Sequence, residues 1–349
     1  MATMMDYIQE EQATLIEILQ AFDPKKEAAK ATIEDLLILA TGSSYNACLA
    51  AKYAMEEMAQ IAITIEEPYH FNHYGHLSKG IKTVLAVSQS GKSASTIDAV
   101  TSLAERGLYT MGLSSDPKSP LAQKVNEMID LGTGIETVGF VTKGFSATVM
   151  QLYLLGASIG YSKGILSDEQ VSAVKKQLAD MIDSIPQVID QSIEFFEKNT
   201  SIFKLANRFV TVGYGPNWGI AKEFETKFTE TLRVPSQGFE LEAYMHGPYL
   251  EADHEHVLFF IEAPSSNQTR SQLLRRYMTP YVGKTFTVTT ASTTEDDTLG
   301  LASAGEELFS PLLLVIPFQV FAYLGAAAKG IDLSKRIFDD FDQVLKSKI

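Results

Sequence analysis

Two turns rich in serine and glycine are the first residues in this sequence whose types and spacing could do chemistry. Each follows an apolar run of strand length and precedes an amphipathic helix. The first N–H groups of a helix lack partners and carry a positive dipole, so they attract anions, and serine hydroxyls add donors. We predict a phosphate site on two adjacent strands, formed by Gly42, Ser43, Ser44, Ser88, Gln89, Ser90 and Ser93. Taken singly, each turn also fits an ordinary helix cap.

A second pattern lies in the second half of the chain. Glu223, Lys227 and Glu230 are separated by steps of four and three residues, so they share one face of a helix. His246 follows in a Met-His-Gly-Pro turn, where its imidazole could exchange protons near neutral pH. A carboxylate and an imidazole suit general acid–base catalysis, although such a charged face is more often a solvated ladder of ion pairs.

The elements that would position these residues alternate in type. Short apolar runs separated by longer amphipathic stretches predict βα units around parallel sheets, an α/β fold. Residues 167–198 read as a polar-faced helical connection between two such series. The first series has strands predicted at 36–40, 62–66, 83–87, 110–113 and 128–131, with helices at 45–59, 93–106 and 145–159. The second has strands predicted at 209–212, 257–261 and 285–289, with helices at 218–232, 268–277 and 312–329.

Composition narrows the classes of function. A net charge of -14 argues against a surface that binds nucleic acid or anionic lipid. The single cysteine, Cys48, cannot form an internal disulfide and reads as a core residue, and the acidic start of the chain does not resemble an export signal. The apolar stretch 311–328 reads as a buried helix. We therefore expect a cytoplasmic protein that does not enter the membrane.

Longer segments resemble a known family. LLILATGSSYNACLAAKYA and TVLAVSQSGKSASTIDAV resemble the sugar isomerase (SIS) domain, and ETVGFVTKGFSATVMQL is similar to the family's segment that ends the first domain. The resemblance extends over nearly the whole chain, as in the isomerase part of glucosamine-6-phosphate synthases. It implies two SIS domains, each a parallel sheet between helices in a flavodoxin-like three-layer sandwich. The implied divisions are 1–165, a connecting helix at 166–200, and 201–349 with a tail that enters the active site.

The resemblance also implies roles for individual residues. AKEFETKFTETL and FELEAYMHGPYLEAD resemble the family's catalytic helix and histidine loop, and DLSKRIF resembles its C-terminal loop. By that pattern Glu230 is the base that moves a proton between C1 and C2, and His246 opens the sugar ring. Lys335 and Glu223 orient the sugar, while Lys227 lies between the two glutamates. Enediol chemistry of this type implies neither a metal nor a cofactor.

Three functions remain open at this point. The first is a deglycase that cleaves a fructosamine 6-phosphate into a hexose 6-phosphate and an amine, because the sequence supplies no nucleophilic cysteine of a glutaminase domain. The second is a glucosamine-6-phosphate deaminase or an aldose–ketose isomerase, and the third is a sensor of sugar phosphates without catalysis. The expected ligand is a phosphorylated sugar or a sugar–amine conjugate, and the family implies a homodimer. Lys92, where the synthases have an acidic residue, could favour a substrate with a second acidic group.

Overall fold

The fold consists of parallel strands connected by helices. A computed structural model describes the whole chain except residues 1, 27–29, 31, 302 and 304. The strands are β1 Asp35–Ala40, β2 Ala62–Glu66, β3 Thr83–Val87, β4 Tyr109–Ser114, β5 Glu127–Asp130, β6 Arg208–Gly213, β7 Ser236–Glu240, β8 His256–Glu262, β9 Lys284–Thr289 and β10 Thr298–Gly300. The helices are α1 Met4–Gln9, α2 Glu11–Ala21, α3 Ser43–Ala59, α4 Pro68–Tyr74, α5 Ala94–Glu105, α6 Lys143–Ser162, α7 Asp168–Asp183, α8 Ile185–Leu205, α9 Asn217–Leu232, α10 Leu241–Met245, α11 Gln268–Met278, α12 Pro311–Ala328 and α13 Phe341–Leu345.

Both sheets are parallel, have five strands and share one strand order. The first runs β2-β1-β3-β4-β5 and the second runs β10-β9-β8-β6-β7. Numbered within its own half, each sheet has the order 2-1-3-4-5, which is that of flavodoxin-like folds. The central strands are buried along nearly their whole length, as parallel strands covered on both faces must be. The predicted α/β class with two flavodoxin-like sheets is confirmed.

The chain divides into two compact units. The first unit, which contains the first sheet, comprises Ala13–Lys176 and Lys335–Ile349; the second comprises Met1–Gln12 and Gln177–Ser334. The C-terminal segment thus belongs to the unit of the first sheet, because its last residues hydrogen-bond beside α5. The N-terminal residues belong to the second unit because α1 packs against α12. The predicted domain limits differ from these units, because they assign the N-terminal residues to the first domain and the C-terminal segment to the second.

Most predicted elements lie within one or two residues of the observed ones. The prediction omitted helices α1, α2, α4, α10 and α13, and it differs from the structure in three further features. The predicted connecting helix is two helices, α7 and α8, which meet at Ser184 just before Pro186. The prediction omitted β7, whose Gly238 lets the strand approach α9 so closely that a Cβ would lie 2.0 Å from the carbonyl oxygen of Ala221. It also omitted β10, a three-residue strand too short to show an alternating pattern.

The two apolar features of the sequence are core elements. Helix α12 is long and apolar enough to cross a membrane, but 78% of it is buried. It packs against α8 and α9, and its Phe318 and Phe321 contact Phe259 of the second sheet. Cys48 is fully buried in α3, and burial raises the pKa of its thiol, which makes it a poor nucleophile.

Candidate active site

A cavity of about 440 Å³ opens at the carboxyl edge of the first sheet. Strands β1 and β3 are neighbours, and Ala40 pairs with Val87 at their ends, so the turns that follow them lie side by side. All seven residues predicted to hold phosphate line this cavity: Gly42, Ser43, Ser44, Ser88, Gln89, Ser90 and Ser93. The two serine-rich turns therefore line one cavity, as their positions after adjacent strands predict.

The first turn presents unpaired donors to the cavity. Gly42 precedes α3 with φ 59° and ψ -138°, a conformation that favours glycine, and it provides no side-chain cap. The first backbone hydrogen bond of the helix is donated by the N–H of Asn46 to the carbonyl of Gly42, so the three N–H groups before it have no acceptor within the described residues. The hydroxyls of Ser43 and Ser44 also have no partner there. Neutral donors at a helix start suit an anion.

The second turn is held rigidly by its own backbone. The N–H of Gly91 donates to the carbonyl of Ser88 over 2.8 Å, and the Gln89 carbonyl accepts from the N–H and hydroxyl of Ser115. Gly91 has φ +64°, and a Cβ there would lie 2.2 Å from the hydroxyl oxygen of Ser119. The N–H groups of Gln89 and Ser90 have no acceptor among the described residues. The fixed turn thus leaves two backbone donors for a ligand.

The serine hydroxyls of this turn keep their protons available. The Ser90 hydroxyl oxygen accepts from the N–H of Lys92 over 3.3 Å, and that of Ser93 accepts from the hydroxyl of Thr96 over 3.0 Å. Since each oxygen is engaged as an acceptor, its own O–H can still donate to a ligand. The Ser88 hydroxyl has no partner among the residues that the structure describes. Three serine donors therefore surround the two free N–H groups.

Five polar residues that were not predicted as site residues also line the cavity: Thr41, Glu136, Thr148, Ser347 and Lys348. The Glu136 carboxylate accepts from the N–H groups of Thr142 and Gly144, at 3.2 and 2.5 Å, and so caps the start of α6. Glu136 stands in the segment that resembles the family, which is a signal that sequence reasoning could have used. Ser347 and Lys348 belong to an ordinary polar C-terminus, and no motif marks them.

The predicted Glu-Lys-Glu face exists on α9 in the second unit. The Lys227 ammonium lies 2.6 Å from a Glu230 oxygen and 3.6 Å from a Glu223 oxygen. The side chains of Lys227 and Glu223 are buried, whereas 38% of the Glu230 side chain is exposed. Burial opposes the charge on Lys227, but the two carboxylates outweigh it, and the pKa of Lys227 is raised. This triad differs from a solvated ladder because only Glu230 is open to a ligand.

His246 lies directly after α10 on an exposed loop. Its side chain is 79% exposed, and its Nε2 atom lies 3.8 Å from a carboxylate oxygen of Glu242. Glu242 also forms an ion pair with Arg270, which lowers the pKa of that carboxyl. Gly247, with φ 137°, turns the chain immediately after the histidine. The imidazole is therefore held at a loop tip with one carboxylate nearby.

The remaining candidates do not line the cavity. Lys335 is exposed and does not line it. His73 packs against Tyr69 on α4 with the two rings tilted by 55°, and His256 shares a 2.8 Å hydrogen bond with Asp253. Within the described residues, no group of three or more His, Cys, Asp or Glu side chains is arranged to hold a metal ion.

Comparison with known proteins identifies the domain that supplies most of the residues lining this cavity. Residues 32–158 match the model of the SIS domain, and this range holds the first sheet, both serine-rich turns and Glu136. Residues 32–158 therefore form a SIS domain. Its second parallel sheet, with the same strand order, is consistent with a double-SIS architecture.

Two curated relatives that match most of this chain are larger proteins. The chain is 27% identical over 309 residues to a glutamine–fructose-6-phosphate aminotransferase (isomerizing) from Gloeobacter violaceus, covering 87% of this chain and 51% of that protein. A comparable match from Synechocystis is 27% identical over 315 residues, covering 87% and 50%. The chain therefore spans about half the length of the curated relatives it matches.

Solved structures share the fold over nearly the whole chain. The C-terminal domain of glucosamine-fructose-6-phosphate aminotransferase from Francisella tularensis has a TM-score of 0.87 at 20% identity and covers 95% of this chain and 96% of that one. A glucosamine-6-phosphate deaminase from Thermotoga maritima has a TM-score of 0.80 at 20% identity, with 97% and 98% covered. At such identities the likeness concerns the fold.

Proposed function

We propose that this protein is an enzyme that binds a hexose 6-phosphate derivative and moves a proton between its C1 and C2 atoms. The observation that carries this proposal is the cavity at 42–44 and 88–93, where backbone N–H groups and serine hydroxyls converge without internal acceptors. A phosphate offers several acceptor oxygens and suits such a cluster. The net charge of -14 makes local donors necessary for holding an anion.

The bound sugar would be processed by acid–base chemistry. In our proposal Glu230 is the base, because it is the exposed carboxylate of a triad whose other members are buried. His246 assists ring opening, because its imidazole is exposed on a loop. Lys227 holds the Glu230 carboxylate in place through its 2.6 Å ion pair, and Glu223 balances the charge of Lys227. General acid–base catalysis by positioned groups of this type is sufficient for proton transfer at a carbon next to a carbonyl.

We propose, more narrowly, that the substrate is a fructosamine 6-phosphate. Glu230 would take a proton from C1 and return it to C2, so that the ketosamine becomes an enaminol and then an aldimine. Water then adds to C1, and the C–N bond breaks to give a hexose 6-phosphate and a free amine. Lys92, exposed beside the phosphate turn, supports a substrate whose amine carries a carboxylate, such as an amino acid. Lys335 would orient the sugar, and a homodimer would bring His246 of a second copy to the site.

A deaminase acting on glucosamine 6-phosphate is the second candidate, favoured by the shared fold with the Thermotoga maritima enzyme. Incubation with fructoselysine 6-phosphate, glucoselysine 6-phosphate, glucosamine 6-phosphate and fructose 6-phosphate separates the two. We expect release of hexose 6-phosphate and amine from one of the first two substrates. Release of ammonia from glucosamine 6-phosphate, with no turnover of the other three substrates, would indicate a deaminase and not a deglycase. Interconversion of fructose 6-phosphate alone would indicate an isomerase, and binding without turnover would indicate a sensor.

The role of Glu230 can be tested by one substitution with a matched control. Glu230→Gln should reduce kcat by about 1,000-fold, within the range for loss of a general base, while the affinity for fructose 6-phosphate stays within about threefold. Glu225→Gln is the control, because Glu225 lies on the same helix but pairs with Lys222 and with the N–H of Gly238. A Glu230→Gln variant that turns over like the Glu225→Gln variant would remove Glu230 from the mechanism.

A further inference from the structure

The second serine-rich turn is a β-turn whose central peptide group has two possible orientations. The hydrogen bond from the Gly91 N–H to the Ser88 carbonyl closes the turn, with Gln89 and Ser90 at its centre. Type I and type II β-turns differ mainly by a rotation of this central group, which here consists of the Gln89 carbonyl and the Ser90 N–H. In a trans peptide the carbonyl and the N–H point in opposite directions. Such a rotation would therefore exchange a hydrogen-bond donor and an acceptor.

The Gln89 carbonyl is held by three donors from one neighbouring segment. It accepts from the Ser115 N–H over 2.9 Å, from the Ser115 hydroxyl over 2.7 Å and from the Ser114 hydroxyl over 3.2 Å. Ser114 is the last residue of β4 and Ser115 follows it; both are buried, and neither lines the cavity. The Ser90 N–H, which has no acceptor among the described residues, therefore points away from this segment.

Ser90 itself opposes the rotated form of the turn. A type II turn requires a positive φ at its third residue, a conformation that glycine adopts readily and that other residues adopt only at a cost. The φ of Ser90 is negative, whereas that of Gly91, the fourth residue, is +64°. The hydrogen bonds to the Gln89 carbonyl and the serine at the third position thus favour the same orientation of the peptide group.

We infer that Ser114 and Ser115 are positioning residues of the phosphate site: they hold the Gln89 carbonyl and so keep the Ser90 N–H available as a donor to the phosphate. This inference rests on the proposed function, since it concerns the same site. The rotated turn would present a carbonyl oxygen in place of that N–H, and an oxygen acceptor repels a phosphate. Only the unrotated turn binds, so the measured affinity falls in proportion to its population.

The test is a calorimetric titration of the full chain with fructose 6-phosphate in two backgrounds, Ser90→Ala and Ser90→Gly. Both remove the hydroxyl at this position, but only glycine lowers the cost of a positive φ. Adding Ser114→Ala/Ser115→Ala should weaken binding about threefold in the first background and about 30-fold in the second, because glycine allows the rotated turn to accumulate. A role in stability alone would give the same factor in both.

Two further variants separate the inference from a general loss of stability. Ser192→Ala is the matched control, because Ser192 is a buried serine of α8 whose hydroxyl also donates to a carbonyl, that of Val188. It should leave the affinity unchanged in both backgrounds. Ser115→Ala alone is a milder change, since the Ser114 hydroxyl and the backbone N–H still hold the Gln89 carbonyl. It should show the same order of the two backgrounds with smaller factors.

The outcomes that overturn the inference are distinct from those that overturn the proposed function. Equal losses of affinity in the Ser90→Ala and Ser90→Gly backgrounds, or no loss in either, would show that Ser114 and Ser115 do not control the turn, while the phosphate site stands. A wild type that binds no sugar phosphate would overturn the proposed function and the inference together.

Discussion

The two sheets have the same strand order, but they differ at their carboxyl edges in whether the backbone N–H groups of the helix starts have hydrogen-bond acceptors. After β1 in the first sheet, the opening N–H groups of α3 have no acceptor in the described protein. After the equivalent strand β6 in the second sheet, the N–H groups of Asn217, Trp218 and Gly219 donate to the carbonyls of the turn just before them. One helix start is open to a ligand, and the other is satisfied by its own backbone.

The second pair of turns shows the same contrast. After β3 the chain offers Ser88, Ser90 and Ser93, whereas the equivalent strand β8 ends with the buried carboxylate of Glu262. Ser271 and Gln268 of the following helix donate to that carboxylate over 2.8 and 3.5 Å. At this position the second sheet thus has a carboxylate of the protein itself, whereas the first sheet has hydroxyl donors that face a cavity.

Duplicated folds therefore do not imply duplicated sites. Tyr214 fills the space after β6, and its hydroxyl donates to the Ala263 carbonyl over 2.6 Å and accepts from the Ala263 N–H over 3.1 Å. A topological switch point provides a crevice, but an anion binds only where the donors that face it are unpaired. On α9 of the second unit, the buried Lys227 ammonium and Glu223 carboxylate likewise neutralise each other within the protein.

The largest expected effect follows from that internal neutralisation. Lys227→Met leaves the buried Glu223 carboxylate without its cation, so the free energy of unfolding should fall by about 3–5 kcal/mol. Lys222→Met is the control, because Lys222 forms a more exposed pair with Glu225; its cost should stay below about 1 kcal/mol. Urea unfolding measures both. Equal losses in the two variants would contradict the difference between the buried and the exposed pair.

A smaller effect is expected from substitutions of two glycines, Gly91 at the carboxyl edge of the first sheet and Gly215 at that of the second. Gly91→Ala should destabilise the protein by about 3 kcal/mol and abolish sugar-phosphate binding, since its Cβ would collide with Ser119. Gly215→Ala, at φ +54° with its nearest contact at 3.6 Å, should cost about 1 kcal/mol and leave binding unchanged. Thermal unfolding and calorimetry check the pair. A Gly215 variant that loses binding would mean that the second edge holds the ligand.

The smallest effect concerns pH. Burial raises the pKa of Glu262 above its ordinary value of 4.5, so its carboxyl takes up a proton more readily in the folded than in the unfolded chain. The free energy of unfolding of the wild type, measured relative to that of Glu262→Gln at pH 4 and pH 7, should therefore be lower at the higher pH, because the stabilisation by the raised pKa is lost as pH rises from 4.5 through the folded pKa. Parallel unfolding curves at the two pH values would contradict a raised pKa.

The sequence predicts the elements at the carboxyl edge of the first sheet better than those of the second sheet. Strands 62–66 and 83–87 agree with the structure residue for residue, because a polar residue, Glu67 or Ser88, follows each run and marks its end. The serine turns converge because consecutive βα units place their turns on one edge. By contrast, β7 reads as SQGFE, without apolar alternation, and is a strand because it packs beside β6 and against α9.

Contacts between distant residues account for what the sequence did not reveal. Steps of four and three place Glu223, Lys227 and Glu230 on one face, but burial of two of them depends on the packing of α9. Lys348 lines the cavity only because residues 347–349 pair with 92–94, a contact between positions about 250 residues apart that no local pattern encodes. The predicted roles of Glu230, His246 and Lys335 come from family resemblance and remain predictions.

The central claim is that the first sheet edge, and not the second, holds the phosphate. It is tested most directly by titrating fructose 6-phosphate into the wild type, a Ser44→Ala/Ser90→Ala variant and a Ser265→Ala/Ser266→Ala variant of the equivalent second turn. Each lost donor to a charged ligand is worth about 1.5–3 kcal/mol, so the first variant should bind at least about 100-fold more weakly and the second as the wild type does. Unchanged binding in the first variant, or loss in the second, would contradict the account.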